Sequence, residues 1–318
     1  MSGQRGGSGI MVRRWGVRAG LAALLTAASL TTTAGCVPLS PGVDGDLVDG
    51  WAAFDEAVHF APEAGSCHDG ERRVIDWESY RPVGCVQVHL METVHVGTLG
   101  DEPAVPFDED GAADGLIPAR RAARAECDRR VNKFLGGPWQ TARLRMTVVM
   151  PSDAAWTGGA RWFGCDVGVV DSPGGPLILW YGTIAGALDV PGHPLRLTCY
   201  DSAAVGVDDE PLTEPLDCDS PHQAEFAGTY VEDKLGYDEV ELNDDRVHTR
   251  CRKVVADYAK VPNNGDLQYR VGTIYTYSDV LDWAEGDRTI RCFAWRADPL
   301  LTGSVRDGGS RALPIQYR

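Results

Sequence analysis

Histidine and glutamate recur at one spacing after a cysteine in two places along the chain. The pattern C-x-x-x-H-x-x-E occurs at Cys85, His89 and Glu92, and again at Cys218, His222 and Glu225. Such a pair could contact a ligand, respond to pH near neutrality, or act as acid and base in a hydrolase. The interpretation we favour is structural, because a short polar pair beside a disulfide commonly organises a turn.

The first copy of this pattern continues to His95 and gives H-x-x-E-x-x-H, which on a helix could present a metal-binding face. The alternating residues around it predict a strand, on which His89 and His95 would stand about 20 Å apart. Glu92 would then point to the opposite side, and the second copy has Gly228 in place of His95. The acidic stretches at 98–115 and 205–217, predicted to be loops, lack the residue spacing of a calcium-binding EF-hand. We therefore predict no metal site and no cofactor.

Tryptophan and arginine form a second repeated pattern, W-x-x-G-x-R-x-x-x-C. It occurs at Trp156, Gly159, Arg161 and Cys165, and again at Trp283, Gly286, Arg288 and Cys292. An indole and a guanidinium around a glycine turn could form a cation–π platform for a sugar or a peptide. We favour a structural role, in which the tryptophan caps the core of a tight hairpin and the arginine binds a loop carboxylate.

Eight cysteines form two quartets of similar spacing. They are Cys67, Cys85, Cys127 and Cys165, followed by Cys199, Cys218, Cys251 and Cys292. This usage is typical of disulfides in an oxidising compartment, and zinc is the competing use, although no C-x-x-C pair occurs. Four cysteines per quartet allow three pairings. The pairs we favour are neighbours: Cys67–Cys85, Cys127–Cys165, Cys199–Cys218 and Cys251–Cys292.

Short strands and one helix per quartet must position these residues. The run 118–135 predicts a helix that opens with proline and stops at a glycine pair, and the run 243–258 repeats it with a cysteine on the same face. Strands are predicted from alternating residues at 85–90, 144–149 and 269–275. The fold class is therefore α+β, with two tandem disulfide-stapled modules, each an antiparallel sheet with one principal helix.

The N-terminal residues are typical of a targeting segment. Residues 1–35 combine four arginines, no acidic residue and an apolar run too short for a membrane span. They end in T-A-G-C, which resembles a lipobox except for Thr33. We predict a signal peptide over 1–35 and lipidation of Cys36, which would hold the chain on the extracytoplasmic face of the cell membrane. The alternatives are an ordinary cleaved signal peptide or an uncleaved anchor, and Met11 is a second candidate start.

Charge and length bound the remaining function classes. The chain has 30 basic and 46 acidic residues, and four arginines precede Cys36, so a chain starting there would carry 26 basic residues and a net charge of −20. This balance opposes nucleic-acid binding. The predicted domains are a lipid-anchored tether at 36–60, a first module at 61–188 and a second at 189–318.

The segment from Cys218 to Glu225 resembles the actinobacterial septum formation-related family. Modules of that family show C-x-x-P-H-x-x-E, a cysteine-bearing helix, W-x-x-G-x-R-x-x-x-C and often a closing T-G-S, which here is residues 302–304. The first copy matches less well, since Val88 stands where the second copy has Pro221. The resemblance implies a membrane-tethered extracytoplasmic factor linked to cell division, without a known reaction.

Motifs of catalysis are absent from the sequence, which contains no G-x-S-x-G, H-E-x-x-H, P-loop or S-x-x-K element. We therefore predict a non-enzymatic envelope lipoprotein that binds a protein or a cell-wall component in septation, and no catalytic residues. The alternatives are an envelope hydrolase using the His222/Glu225 region and a sensor that binds a small solute. The sequence does not indicate an oligomeric state.

Overall fold

The computed structural model describes residues 59–100, 117–201 and 212–316. The predicted signal peptide, the lipidation at Cys36 and nearly all of the tether lie outside these described residues. Within the described ranges, no helix combines the length and apolar character needed to cross a membrane.

The first half contains one sheet, a long helix, a short helix and a small ribbon. Its elements are β1 (Cys67–His68), β2 (Val74–Ile75), β3 (Pro82–Val83), β4 (Val88–His89), β5 (Met91–Thr98), α1 (Ile117–Leu135), β6 (Leu144–Pro151), α2 (Asp153–Thr157), β7 (Trp162–Val169) and β8 (Trp180–Tyr181). Six strands form a sheet in the order β2-β6-β7-β5-β1-β3, antiparallel except for β2 beside β6. Strands β4 and β8 pair separately.

The second half repeats the central part of this arrangement. Its elements are β9 (Cys199–Tyr200), β10 (Ala224–Val231), α3 (Tyr237–Leu242), α4 (Asp244–Ala259), β11 (Gly272–Thr276), α5 (Val280–Glu285), β12 (Thr289–Trp295) and α6 (Gly309–Ala312). The sheet order β11-β12-β10-β9 corresponds to β6-β7-β5-β1 of the first half. Strands β5 and β10 also carry a register shift at the same place, just before His95 and Gly228 respectively.

Two disulfides in each half join its elements in the same way. Cys127–Cys165 ties α1 to β7, and Cys251–Cys292 ties α4 to β12. Cys67–Cys85 and Cys199–Cys218 pin β1 and β9 to the loops before the H-x-x-E residues. The predicted neighbour pairs are thus confirmed, as is the α+β fold class.

Each long helix packs its cysteine-bearing face on one side of its sheet. Cys127, Val131 and Leu135 of α1 are fully buried in the first core, and Cys251 and Val255 of α4 are fully buried in the second half. This burial follows from the helical spacing of the apolar residues. Leu195, which falls within the range predicted for the second module, packs in the core of the first half.

Two predicted strands are shorter in the structure than in the sequence pattern. At 85–90 only Val88–His89 is a strand, since residues before it form a turn closed by the Gln87 amide and the Gly84 carbonyl, 2.7 Å apart. At 269–275 the strand begins at Gly272, because Leu267–Tyr269 forms a 3₁₀ turn.

Candidate functional site

The glutamate of the first H-x-x-E pattern is buried and holds the loop that closes its half. Glu92 Oε1 accepts a hydrogen bond from Thr183 Oγ1 (2.6 Å), and its Oε2 accepts one from the Ile184 amide (3.0 Å). The side chain thus anchors a distant loop to β5.

The glutamate of the second pattern has the same role with one more donor. Glu225 accepts hydrogen bonds from Ser304 Oγ (2.6 Å), the Val305 amide (2.7 Å) and the Tyr258 hydroxyl (2.6 Å). Burial raises the pKa of Tyr258 to about 12, so its hydroxyl keeps its proton and donates it. This carboxylate is therefore committed to internal contacts.

The histidines of the two patterns are buried and face main-chain carbonyls. Nδ1 of His222 lies 2.8 Å from the Ser220 carbonyl, and Nδ1 of His89 lies 2.8 Å from the Gln87 carbonyl. His222 is fully buried, and its Nε2 stands 3.7 Å from Glu225 Oε2 without a hydrogen-bond partner among the described residues. These contacts support the structural interpretation of the pattern.

Two groups of possible metal ligands lie beside these glutamates. Among the described residues, each such group is a disulfide plus its neighbouring glutamate: Cys67, Cys85 and Glu92, and Cys199, Cys218 and Glu225. Sulfur atoms joined in a disulfide are not thiolates, which are the form that binds zinc. His95 is not part of either group, since it lies on β5 with its Nε2 4.0 Å from Glu126.

The W-x-x-G-x-R residues clamp a short helix to the next strand. In the first half, Arg161 stacks on Trp156 with its guanidinium carbon 4.4 Å from the ring centre and donates to the Trp156 carbonyl (2.7 Å). In the second half, Arg288 stacks on Trp283 at 4.9 Å and donates to its carbonyl (3.0 Å). Both tryptophans are buried, so the contacts are those of packing.

The sequence interpretation of this pattern needs two corrections. The tryptophans lie on helices α2 and α5 rather than in a hairpin, and the arginines bind carbonyls rather than a loop carboxylate. The glycine of each pattern has a positive φ, 105° at Gly159 and 119° at Gly286. A residue with a Cβ rarely adopts this backbone conformation, which reverses the chain between helix and strand.

Arginines of the first half meet carboxylates of the second half in a charged cluster, which the sequence reasoning missed and which is buried except at Arg73 and Asp279. The cluster contains Arg73, Arg120, Arg124, Asp279, Asp282, Glu285 and Asp287. Arg124 Nη1 lies 2.8 Å from Asp282 Oδ1, and Arg120 donates to Glu285. Burial lowers the pKa of Arg124, but the charges of Asp282 and Asp287 outweigh it and raise the pKa overall. These paired charges join the halves.

A cleft of about 380 Å³ opens between the halves, beside the cluster of arginines and carboxylates. Its walls include Trp139, Tyr277, Asp287 and Arg291. Arg291 stacks on Trp139 with its guanidinium carbon 5.4 Å from the ring centre, and its Nε donates to the Gln140 carbonyl (2.9 Å). The lining mixes charged side chains with apolar ones such as Leu144, Val170 and Pro173.

The outer faces of the two sheets differ at equivalent positions. In the first half, His68 Nε2 lies 2.8 Å from Asp166 Oδ2, while Thr93 Oγ1 donates to Asp166 Oδ1 (2.7 Å). His68 Nδ1 lies 2.8 Å from the Gly70 carbonyl. Burial lowers the pKa of His68, but the hydrogen bond and charge of Asp166 outweigh it, so its pKa is raised. A buried polar triad therefore fills this space.

The corresponding space in the second half is aromatic. Tyr200 and Phe226 pack on Phe293, with ring centres 5.9 Å and 5.6 Å apart. These residues hold the places of His68, Thr93 and Asp166 in the strand pairing. Sequence reasoning that aligned the cysteines could have found the difference, because His68, Asp166, Tyr200 and Phe293 each directly follow a motif cysteine.

An open aromatic cleft lies on the first half, beside the strand that follows the first W-x-x-G-x-R pattern. Trp77 is 72% exposed and is the exposed tryptophan of the described residues. It lines a cleft of about 720 Å³ together with Phe60 and Tyr80. We call this the Trp77 cleft, and it is the candidate binding site that the sequence reasoning did not identify. A lone Trp-Glu pair in a loop rich in polar residues was its only sequence signal.

One protein-family model matches most of this chain. A family model described as septum formation matches residues 64–292, which is more than half of the chain. The chain belongs to the septum formation family. Neither the curated proteins nor the solved structures contain a match to it.

The septum formation match runs through both halves and includes both W-x-x-G-x-R patterns. The resemblance noted at Cys218 to Glu225 is therefore confirmed at the level of the family. Membership supports a septum-related function, and the family is not a known enzyme family. Trp77 and Tyr80 lie within the matched range, and Phe60 lies just before it.

Proposed function

We propose that this septum formation protein is a lipid-anchored, non-enzymatic binding protein that recognises an envelope protein or a cell-wall component during septation. One observation carries the proposal: the repeated motif residues are used inside the fold, whereas the aromatic Trp77 cleft remains open. Exposed aromatic side chains are typical anchors of recognition surfaces. Family membership supplies the septal process.

The burial of His222 and Glu225 counts against the hydrolase alternative. Both residues are at most 1% exposed, and the carboxylate already accepts three hydrogen bonds. A general base must reach a substrate proton within hydrogen-bond distance. In the cleft between the halves, Asp282 and Asp287 already pair with Arg124, which counts against a solute sensor that would use these carboxylates.

The proposal includes two copies of one module and attachment through Cys36. The matched sheet order, register shift and disulfides of the halves support the duplication. Mass spectrometry of the full chain from the membrane fraction tests the anchor, with diacylglycerol on Cys36 as the expected result. Reduction should add eight hydrogens for the four disulfides. An unmodified Cys36 would refute the anchor.

Localisation in the producing bacterium tests the septal role. The full chain, tagged at its C-terminus, should concentrate at division septa, and Cys36→Ala should leave the membrane. Trp77→Ala should stay on the membrane and lose its septal enrichment. The matched control is Leu242→Ala, an 82% exposed residue on α3, which should behave as the wild type. Septal enrichment that survives Trp77→Ala would contradict a recognition role for the cleft.

A further inference from the structure

The Trp77 cleft is built from three aromatic rings set at steep angles to one another. The ring centres of Phe60 and Trp77 are 5.9 Å apart with planes inclined by 76°, and those of Phe60 and Tyr80 are 5.2 Å apart at 56°. In these contacts the rings pack against one another, and the 72% exposed Trp77 ring keeps a π-face open to an occupant. The three rings form an aromatic cluster in the wall of the cleft.

This aromatic cluster is held in place from below. Phe60 packs edge-on against Trp162, with ring centres 6.2 Å apart, and Trp162 is itself buried on the sheet. The Tyr80 hydroxyl bonds to Ser66 Oγ at 2.7 Å. Two walls are thus fixed, while Trp77 projects from a turn that Asp76 closes by accepting from the Ser79 amide (2.8 Å). An occupant would therefore meet a largely preformed site, which lowers the entropic cost of binding.

Charges at the edge of the cleft favour a cationic occupant. Glu63 and Glu78 line it, and within the described part of the chain neither carboxylate forms an ion pair. Arg81 also lines the cleft, where its guanidinium donates to the Tyr80 carbonyl (2.9 Å) and keeps its positive charge, so two carboxylates face one cation and the local balance is negative. The whole chain has a net charge of −16. Both the π-faces and the carboxylates attract a cation, and the net charge steers one toward the surface.

We propose that the Trp77 cleft binds a lysine or arginine side chain from a basic segment of a protein partner. This inference rests on the proposed function as a recognition protein and names the chemistry of the partner. A volume of about 720 Å³ leaves room for the residues that flank the basic side chain. The cation would lie against Trp77, with Glu63 and Glu78 as its counter-charges.

Titration of the full chain in detergent with a fluorescent peptide of alternating lysine and alanine tests the proposal. Trp77→Ala should weaken binding about tenfold, which corresponds to the loss of a strong cation–π contact. The double variant Glu63→Gln/Glu78→Gln should weaken it about threefold and reduce its dependence on salt. Leu242→Ala should bind as the wild type, and unfolding midpoints should show that all variants fold.

Two further probes decide between cation recognition and other chemistry. The same peptide with acetylated lysines should bind at least about tenfold more weakly, because it keeps the chain length and loses the charge. Equal binding of the acetylated peptide, or binding of an N-acetylglucosamine oligosaccharide but not of the lysine peptide, would overturn the proposal. Lysine-peptide binding that is unchanged in Trp77→Ala would overturn it as well.

The two proposals fail in different ways. If Trp77→Ala loses septal enrichment while no lysine peptide binds, the recognition function stands and the cationic partner is refuted. If the lysine peptide binds at Trp77 but the chain is not enriched at septa, the binding chemistry stands and the septal role is refuted.

Discussion

The outer face of the sheet is filled differently in the two halves. The first half places His68, Thr93 and Asp166 there, and the second places Tyr200, Phe226 and Phe293 in the same strand positions. The disulfides, the Trp–Arg clamps and the buried glutamates are alike in both halves. A common frame thus tolerates either a satisfied polar network or an aromatic cluster, because each satisfies every group that it buries.

The largest loss of stability is expected when an aspartate is placed in the second half, at the position that corresponds to Asp166. Phe293→Asp would bury a carboxylate beside Tyr200 and Phe226 without the histidine that accompanies Asp166. An unpaired buried charge is strongly unfavourable, so we expect a loss of about 4 kcal/mol or more in the free energy of unfolding. Urea denaturation measures the loss. The control Phe293→Leu should lose about 1–2 kcal/mol. Equal losses for the two variants would show that the aromatic space of the second half tolerates an unpaired carboxylate.

The disulfides Cys127–Cys165 and Cys251–Cys292 should contribute equally to the free energy of unfolding, although the residues on the outer faces of the two sheets differ. They close loops of 38 and 41 residues, so the chain-entropy model gives each about 4 kcal/mol. The double variants Cys127→Ala/Cys165→Ala and Cys251→Ala/Cys292→Ala should therefore lose similar free energies of unfolding. Calorimetry or denaturation measures both. A clear inequality would show that the halves do not share one frame.

Replacement of the two buried glutamates should destabilise the fold by different amounts, because they accept different numbers of hydrogen bonds. Glu225 accepts three hydrogen bonds and Glu92 accepts two. An amide in place of the carboxylate sets an N–H against some of these donors, so Glu225→Gln should lose about 3 kcal/mol and Glu92→Gln about 2 kcal/mol. Urea unfolding of the two variants and of the wild type checks the order. A reversed order would show that the Tyr258 contact adds nothing.

The smallest test uses pH to isolate the polar triad. The raised pKa of His68 means that its ion pair stabilises the fold fully below the unfolded pKa, near 6.5. That contribution is lost as pH rises through the higher folded-state pKa. We expect the free energy of unfolding to fall over this range in the wild type and less in His68→Gln. The same slope in both proteins would assign the pH dependence to other groups.

The sequence predicts the parts of the fold that depend on spacing. The favoured neighbour pairs of cysteines, chosen among three pairings per quartet, are the four disulfides, and the helical face of Cys127 and Val131 predicts its burial. The same spacing could have revealed Arg120 and Arg124, which continue that face at i−7 and i−3 from the cysteine. Arginine on an apolar stripe signals a buried partner, but the partner acids lie more than 150 residues away.

The candidate site was not predictable because it depends on contacts between distant segments. Phe60, Tyr80 and Trp162 come together only when the N-terminal loop folds over the sheet. The H-x-x-E and W-x-x-G-x-R patterns drew attention because they repeat, and they repeat because they support the frame. Trp77 belongs to no repeated pattern, so its exposure could be recognised only in three dimensions.

The charged cluster that joins the two halves constrains how this chain can evolve. Its arginines lie on α1 and in the loop at Arg73, whereas its acids all belong to the segment 279–287. The first half has Ala155, Gly158 and Ala160 where the second has Asp282, Glu285 and Asp287. A half inherited alone would expose one sign of charge without its counterpart. The two halves have become complementary parts, and recombination is expected to preserve them only as a pair.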